Sequence, residues 1–302
     1  MSIAYLFPGQ GSQKVGMGRD LYENNAAARA VFDQADEQLG FSLSSLCFEG
    51  PEGELTDTVN QQPALFTISF AMFMALKTQE APLPAFVAGH SLGELSALAA
   101  AGSLTFADGL ALVRRRGELM KQAGEREPGA MAAVLGLDLS AVERICTEVS
   151  AEHGRFVQIA NDNCPGQLVI SGDENALHDA VAAAKEAGAR KVVVLPITIA
   201  AHSQLMASAA AEFTKAVAAT PLYPPTIPVI GNVSARPLQT VAEIRAELEA
   251  QLTSPVYWTD SMTYLTTHGV TAVMEVGPGD VLLSLMKRIH RKTKRLKFKI
   301  ED

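Results

Sequence analysis

Cysteine is scarce in this 302-residue chain, with Cys47, Cys146 and Cys164 the only three. An odd number at such wide spacing fits neither a disulfide framework nor a zinc knuckle, so a reducing cytoplasm is the expected setting. Positive charge is in deficit too, with 25 Lys and Arg against 33 Asp and Glu and a formal charge of -8. A protein that chiefly neutralises nucleic-acid phosphates needs the opposite balance, so nucleic acid is not an expected partner and acidic ligands must be met by local cations. Long hydrophobic runs are missing. The most apolar one, Ala64 to Leu76, carries Thr67 and Ser69 and falls short of the roughly 20 residues that cross a bilayer, so no membrane association is expected and the run reads as a buried helix. The N-terminus, MSIAYLFPGQGSQ, has no basic segment followed by a long apolar one, which argues against a secretory signal. Internal repeats and low-complexity segments are absent as well, which excludes solenoids and disordered linkers.

What is present is apolar mass. With 48% hydrophobic and 19% charged residues, the chain can build one large core or two ordinary ones. Short β-branched or aromatic runs, Ile3 to Phe7 and Phe86 to Ala88, alternate with long alanine- and leucine-rich segments, the pattern of a parallel sheet covered by helices. The middle of the chain reads differently: a strand (130–135), a helix (139–149), two strands (157–160 and 167–171), a helix (174–186) and a last strand (191–195). That βαββαβ order is ferredoxin-like. Its edges fall at the charged, glycine-containing stretch Gly124 to Gly129 and at Pro196. The expected fold class is α/β: a large domain with a mainly parallel sheet, residues 1–126 and 197–302, carrying an inserted small subdomain, residues 127–196.

Gly89-His90-Ser91-Leu92-Gly93 follows the strand at 86–88 and opens a helical run from Glu94 to Ala101, the strand, turn, helix setting of a nucleophile elbow. Three fixed positions recur readily by chance, so it is the setting more than the pentapeptide that marks Ser91 as a nucleophile. A serine hydroxyl needs a base, and histidine is the usual one because it titrates near neutrality. His153, His178, His268 and His290 sit in polar surroundings and read as surface residues, and His90, beside the serine, points elsewhere in a true elbow. His202 remains, after the apolar stretch Val192 to Ala201 at a strand end, where open α/β sheets gather catalytic groups. A core histidine bonded to a backbone carbonyl is the alternative.

In the helical segment 106–120, Leu112, Val113, Leu119 and Met120 form one apolar stripe, and Arg116 lies inside it, whereas Arg114 and Arg115 face outward with Glu118. An inward guanidinium must find an anion, because an unpaired buried charge is very costly. The partner is either an internal carboxylate or a carboxylate of the substrate. Pro8-Gly9-Gln10-Gly11-Ser12-Gln13 follows the first strand but lacks the third glycine of a dinucleotide loop, and no phosphate loop of the G-x-x-x-x-G-K-[ST] type occurs. Such a turn either aims backbone N–H groups at a developing oxyanion or is merely structural.

These residues resemble the malonyl-CoA:acyl carrier protein transacylases of fatty acid and polyketide synthesis, nearly end to end. The matching blocks are FPGQGSQ at Phe7, QPAL at Gln62, GHSLGE at Gly89, RRGELM at Arg115, ANDNCPGQLVISG at Ala160, AAHSQLM at Ala200, QLTSPVYW at Gln251 and EVGPGDVL at Glu275. The resemblance implies an α/β hydrolase-like large domain with a ferredoxin-like insert. It implies a ping-pong transfer in which Ser91 attacks the thioester of malonyl-CoA with His202 as base. The backbone carbonyl of Gln251 would orient the imidazole, the N–H groups of Gln10 and Leu92 would form the oxyanion hole, and Arg116 would bind the malonyl carboxylate. No metal and no tightly bound cofactor is implied; the partners are a CoA thioester and the phosphopantetheine thiol of a holo-acyl carrier protein, and the enzyme acts as a monomer.

Three positions depart from the commonest pattern. Ala201 stands where serine or phenylalanine is usual, which widens the expected acyl pocket; Cys164 replaces a serine; and Asp280 occupies a site that is often basic. The basic run Lys287 to Lys299 reads as a solvated tail in preference to a steering patch for an acidic carrier. A hydrolase using the same serine and histidine, and a carrier-docking module with a decayed site, are the rival readings; an inward Arg116 argues against the first, and the presence of Ser91, His202, Arg116 and Gln251 together against the second.

Overall fold

The computed structural model describes residues 2–299, with the side chain of His153 outside the description. Its strands, in chain order, are β1 (Ile3–Phe7), β2 (Phe86–Gly89), β3 (Gly129–Leu135), β4 (Val157–Cys164), β5 (Gln167–Asp173), β6 (Lys191–Val194), β7 (Val229–Ile230), β8 (Pro237–Leu238), β9 (Val256–Tyr257), β10 (Ala272–Glu275) and β11 (Lys294–Lys297). Six of them form one sheet in the order β11-β10-β1-β2-β7-β8, parallel throughout except for the β8 edge. β1 lies inside this sheet and is buried along its whole length. Because successive side chains of a strand point to opposite faces, Ile3, Tyr5 and Phe7 enter one core while Ala4 and Leu6 enter the other, with Trp258, Met262 and Met286.

The expected α/β class is what the structure shows. A second sheet has the order β6-β3-β5-β4-β9. Its first four strands and the helices Leu139–His153 and Glu174–Glu186 give the βαββαβ arrangement with antiparallel pairing, around a core of its own that includes Val142, Ile145, Ile159, Ile170 and Leu177. The fifth strand comes from elsewhere: β9 pairs in parallel with the far end of β4, Asn161 opposite Val256 and Asp162 opposite Tyr257. That pairing brings the segment after Gln251 against the β4–β5 hairpin.

Local expectations are corrected in three places. The strand expected to stop at Ala160 continues to Cys164, because two register shifts against β5 absorb the poor strand formers Asn161, Asp162 and Asn163. The helix expected over 106–120 continues to Arg126, so only Glu127 and Pro128 lead into β3. The run Lys287 to Lys299 is not a tail. It is the end of the helix Val281–Ile289 followed by the edge strand β11, whose lysines discourage further strand pairing, and Arg288 donates to the carbonyl of Pro165 at 3.0 Å.

The elbow is held by close backbone approach. A Cβ at Gly93 would lie 2.1 Å from the carbonyl oxygen of Phe7, on a strand that cannot yield. Gly93→Ala is therefore expected to cost at least about 3 kcal/mol, read as a lowered midpoint in denaturant unfolding; an unchanged midpoint would refute this packing.

Candidate active site

Ser91 sits between β2 and the helix Gly93–Ala100 with φ of 52°, the left-handed conformation expected of an elbow nucleophile. Such strain persists only where the surroundings impose it, and here Asn232 does so. Its Oδ1 accepts from the Ser91 N–H at 2.6 Å and its Nδ2 donates to the Gly89 carbonyl at 2.6 Å, so a single buried amide grips the turn on both sides. Asn232 escaped sequence reasoning, since it lies 141 residues from Ser91 in a short loop after β7 that has no chemical signature.

His202 is brought to the serine, with Ser91 Oγ and His202 Nε2 2.8 Å apart. Its Nδ1 faces two carbonyl oxygens, of Gln251 at 2.8 Å and of Ser254 at 3.2 Å. Only a protonated Nδ1 can donate there, so Nε2 carries the lone pair and accepts from the serine hydroxyl. Among the described residues no carboxylate takes part in this orientation. The strand-end placement expected for His202 is corrected: β6 ends at Val194, and His202 lies farther on, in a turn with φ of 59°. Gln158 of β4 secures that turn by donating from Nε2 to the His202 carbonyl at 3.0 Å. His90 indeed points elsewhere, its Nε2 2.8 Å from Asn163 Oδ1 and its ring against Trp258.

Arg116 is fully buried on the helix Phe106–Arg126. Its Nη1 donates to Gln62 Oε1 at 3.0 Å; its Nη2 donates to Gln251 Oε1 at 2.9 Å and to Ser91 Oγ at 3.2 Å. Its Nε has no acceptor among the described residues. Its hydrogen-bond partners among the described residues are all neutral. Burial pushes its pKa down to about 10, against the opposing pull of Glu94. Gln62 and the Gln251 side chain were visible only as parts of the blocks QPAL and QLTSPVYW; the contact with a guanidinium 54 positions away for Gln62 is a product of folding.

A cavity of about 570 Å³ opens onto Ser91 and His202; Gln10 after β1, the helix residues Gln61 and Met120, the strand residues Met131 and Asn161, and Ala201 line it. The chain at Gly9 passes so close to the elbow that a Cβ there would meet the His90 carbonyl oxygen at 2.5 Å. Gln10 is thereby set beside Ser91, and neither its N–H nor that of Leu92 finds an acceptor among the described residues. Cys164 is buried at the end of β4, and Asp280 pairs with Lys297 at 3.2 Å on the surface, so neither reaches this cavity.

Burial, and after it the charge of Arg116, pushes the His202 pKa down to about 3. Because folding disfavours the imidazolium, the neutral base persists as pH falls through the usual histidine range near 6.5. The kcat/KM profile of the free enzyme is therefore expected to show no acid limb near pH 6.5, and Arg116→Ala, which removes one cause of the shift, to move the limb upward. A wild-type limb at about 6.5 would contradict this.

The model of the acyl transferase domain family matches residues 4–299. A malonyl CoA-acyl carrier protein transacylase of Bacillus subtilis is 47% identical over 294 residues, which is 97% of this chain and 92% of that one. The solved malonyl CoA-acyl carrier protein transacylase of Coxiella burnetii superposes with a TM-score of 0.96 at 37% identity, covering 99% of this chain and 94% of that one. A malonyl-transacylase solved in complex with a type II polyketide acyl-carrier protein gives 0.95 at 38% identity, covering 98% and 96%. Identity of this order along almost the whole chain, on the same fold, has one consequence: the chain belongs to the acyl transferase domain family, among the malonyl CoA-acyl carrier protein transacylases.

Proposed function

We propose that this protein moves a malonyl group from malonyl-CoA to the phosphopantetheine thiol of an acyl carrier protein through a malonyl ester on Ser91. The observation that carries the reading is Arg116, a fully buried guanidinium with only neutral partners, 3.2 Å from the Ser91 oxygen and under a cavity of substrate size. A carboxylate on the acyl group can pair directly with this guanidinium, whose own hydrogen-bond partners among the described residues are all neutral.

In the first half-reaction the Ser91 oxygen bonds to the thioester carbonyl carbon while its proton passes to His202 Nε2. The resulting oxyanion is met by the N–H groups of Gln10 and Leu92, and the C–S bond breaks as the CoA sulfur takes the proton from the imidazolium. In the second half-reaction the carrier thiol gives its proton to His202, attacks the ester carbonyl and returns Ser91 to its hydroxyl form. The carbonyl groups of Gln251 and Ser254 hold the Nδ1–H tautomer throughout, in place of a triad carboxylate. The chemistry uses groups of this chain and the thiols of its two substrates.

The large body is assigned to residues 1–126 and 197–302 and the insert to 127–196, with the cavity between them. The resemblance carries with it a monomer acting in the cytoplasm, which light scattering and cell fractionation test; among the described residues no helix is long and apolar enough to cross a membrane. Fatty acid synthesis is the preferred setting over a polyketide line.

The test is intact-protein mass after brief exposure to malonyl-CoA or acetyl-CoA, followed by a holo-carrier protein. A malonyl adduct that moves to the carrier supports the reading. Release of free malonate without loading of the carrier would give the reaction to the hydrolase reading. Ala201 lines the cavity, and its small side chain is expected to admit a branched malonyl unit; a malonyl preference over methylmalonyl far above about tenfold, the discrimination one methyl group commonly gives, would count against that.

A further inference from the structure

One buried ionisable side chain, linked to Arg116 through Gln251, has no part in this chemistry. Glu94 is fully buried on the helix Gly93–Ala100, and each of its oxygens receives an N–H: Oε1 from Asn232 at 2.9 Å and Oε2 from Gln251 Nε2. The same Gln251 accepts from Arg116 through Oε1 at 2.9 Å. Turning the amide over would set its NH₂ against the guanidinium and its oxygen against the carboxylate, so the network fixes its orientation. Arg116 and Glu94 are thus joined by a single amide.

The charged groups that act on Glu94 are Glu247 and Arg116. Glu247, on the helix Val241–Gln251, accepts from Val233 N and Ser234 N. Other charged residues of the Arg116 helix are engaged at its surface, Arg114 with Glu118 and Lys121 with Asp57. Tyr5 of β1 and Lys77 of the helix Thr58–Thr78 belong to elements packed on the Glu94 helix, but the Tyr5 hydroxyl donates to the Pro82 carbonyl and the Lys77 ammonium lies over Phe73.

We propose that Glu94 is the internal counter-ion of Arg116 in the unloaded enzyme, and that it takes up one proton from solvent when an acyl carboxylate enters the cavity. Malonyl binding is then proton-linked and acetyl binding is not. One guanidinium can neutralise one anion in a dry site; a second anion leaves a surplus that costs more than protonating a carboxylate. Glu94 is the group to accept the proton, because burial and the nearby Glu247 already raise its pKa well above the usual carboxylate range. By linkage, malonyl affinity falls with rising pH, at the limit by about tenfold per pH unit. The inference rests on the assignment of Arg116 to the malonyl carboxylate.

The test is calorimetric titration of Ser91→Ala protein with malonyl-CoA and with acetyl-CoA at a pH of about 7.5, in two buffers of different ionisation enthalpy, alongside the Ser91→Ala, Arg116→Ala double variant. The malonyl ester is expected to draw about one proton more than the acetyl ester. Equal counts overturn the proposal. On the same background Glu94→Gln is expected to abolish the difference and to flatten the pH dependence of malonyl-CoA affinity; a difference that survives places the proton elsewhere and also overturns it. If Glu94→Gln does not fold, the two-ester comparison decides alone. Failure of the underlying assignment looks different: Arg116→Ala would then bind malonyl-CoA as tightly as its parent does.

Discussion

Ser91→Ala is expected to abolish the malonyl adduct in intact-protein mass and to lower transfer to the carrier by about 10⁴- to 10⁶-fold, the range over which loss of a hydroxyl nucleophile acts in enzymes of this type. His202→Ala is expected to fall within the same range, because the two side chains act as one unit: the hydroxyl 2.8 Å from Nε2 is reactive only while that nitrogen can take its proton. The double variant should therefore be little worse than either single one. Steady-state transfer rates of the three proteins check this directly. Additive losses would mean that serine and histidine act in separate steps, and an adduct on Ser91→Ala would place the nucleophile elsewhere.

Arg116→Ala has the second largest expected effect, and it is selective. Truncating one member of a buried, hydrogen-bonded ion pair costs about 2–5 kcal/mol, which corresponds to a loss of about 30- to 5,000-fold in malonyl loading. Acetyl loading has no carboxylate to lose and should change far less. Arg116→Lys is expected to recover only part of the malonyl activity: an ammonium keeps the charge but cannot hold Gln62 and Gln251 while presenting a planar edge to a carboxylate. The readout is the ratio of kcat/KM for the two esters. A parallel fall for both would make Arg116 a structural residue that shapes the pocket, since it also donates to Ser91.

Much of this architecture was legible before folding was considered. The β-branched and aromatic run at Ile3–Phe7 marks β1, and the helix expected at 174–186 has its observed bounds Glu174–Glu186. The helical spacing of Leu112, Val113, Leu119 and Met120 puts Arg116 on an inward face, where it is found fully buried. Local pattern stops short where polar residues behave against their propensities. Asn161 to Asn163 extend a strand only because β5 and β9 offer ladder partners, and Lys294 to Lys297 form an edge strand only because β10 lies alongside.

By itself, then, the sequence determined the α/β class, the strand, turn, helix setting of Ser91 and the inward face of Arg116, since each follows from local composition, turn chemistry or amphipathic period; His202 it reached only by elimination among six histidines, with a core histidine as the alternative. Only the tertiary structure decided what those groups touch. The tautomer of His202 depends on two carbonyls about fifty residues away, the strained turn of Ser91 on the amide of Asn232, and the neutral shell of Arg116 on two glutamines from different helices. The reason is physical. Burial and charge balance are properties of a volume that distant segments enclose together, and neither is carried by any one stretch of chain.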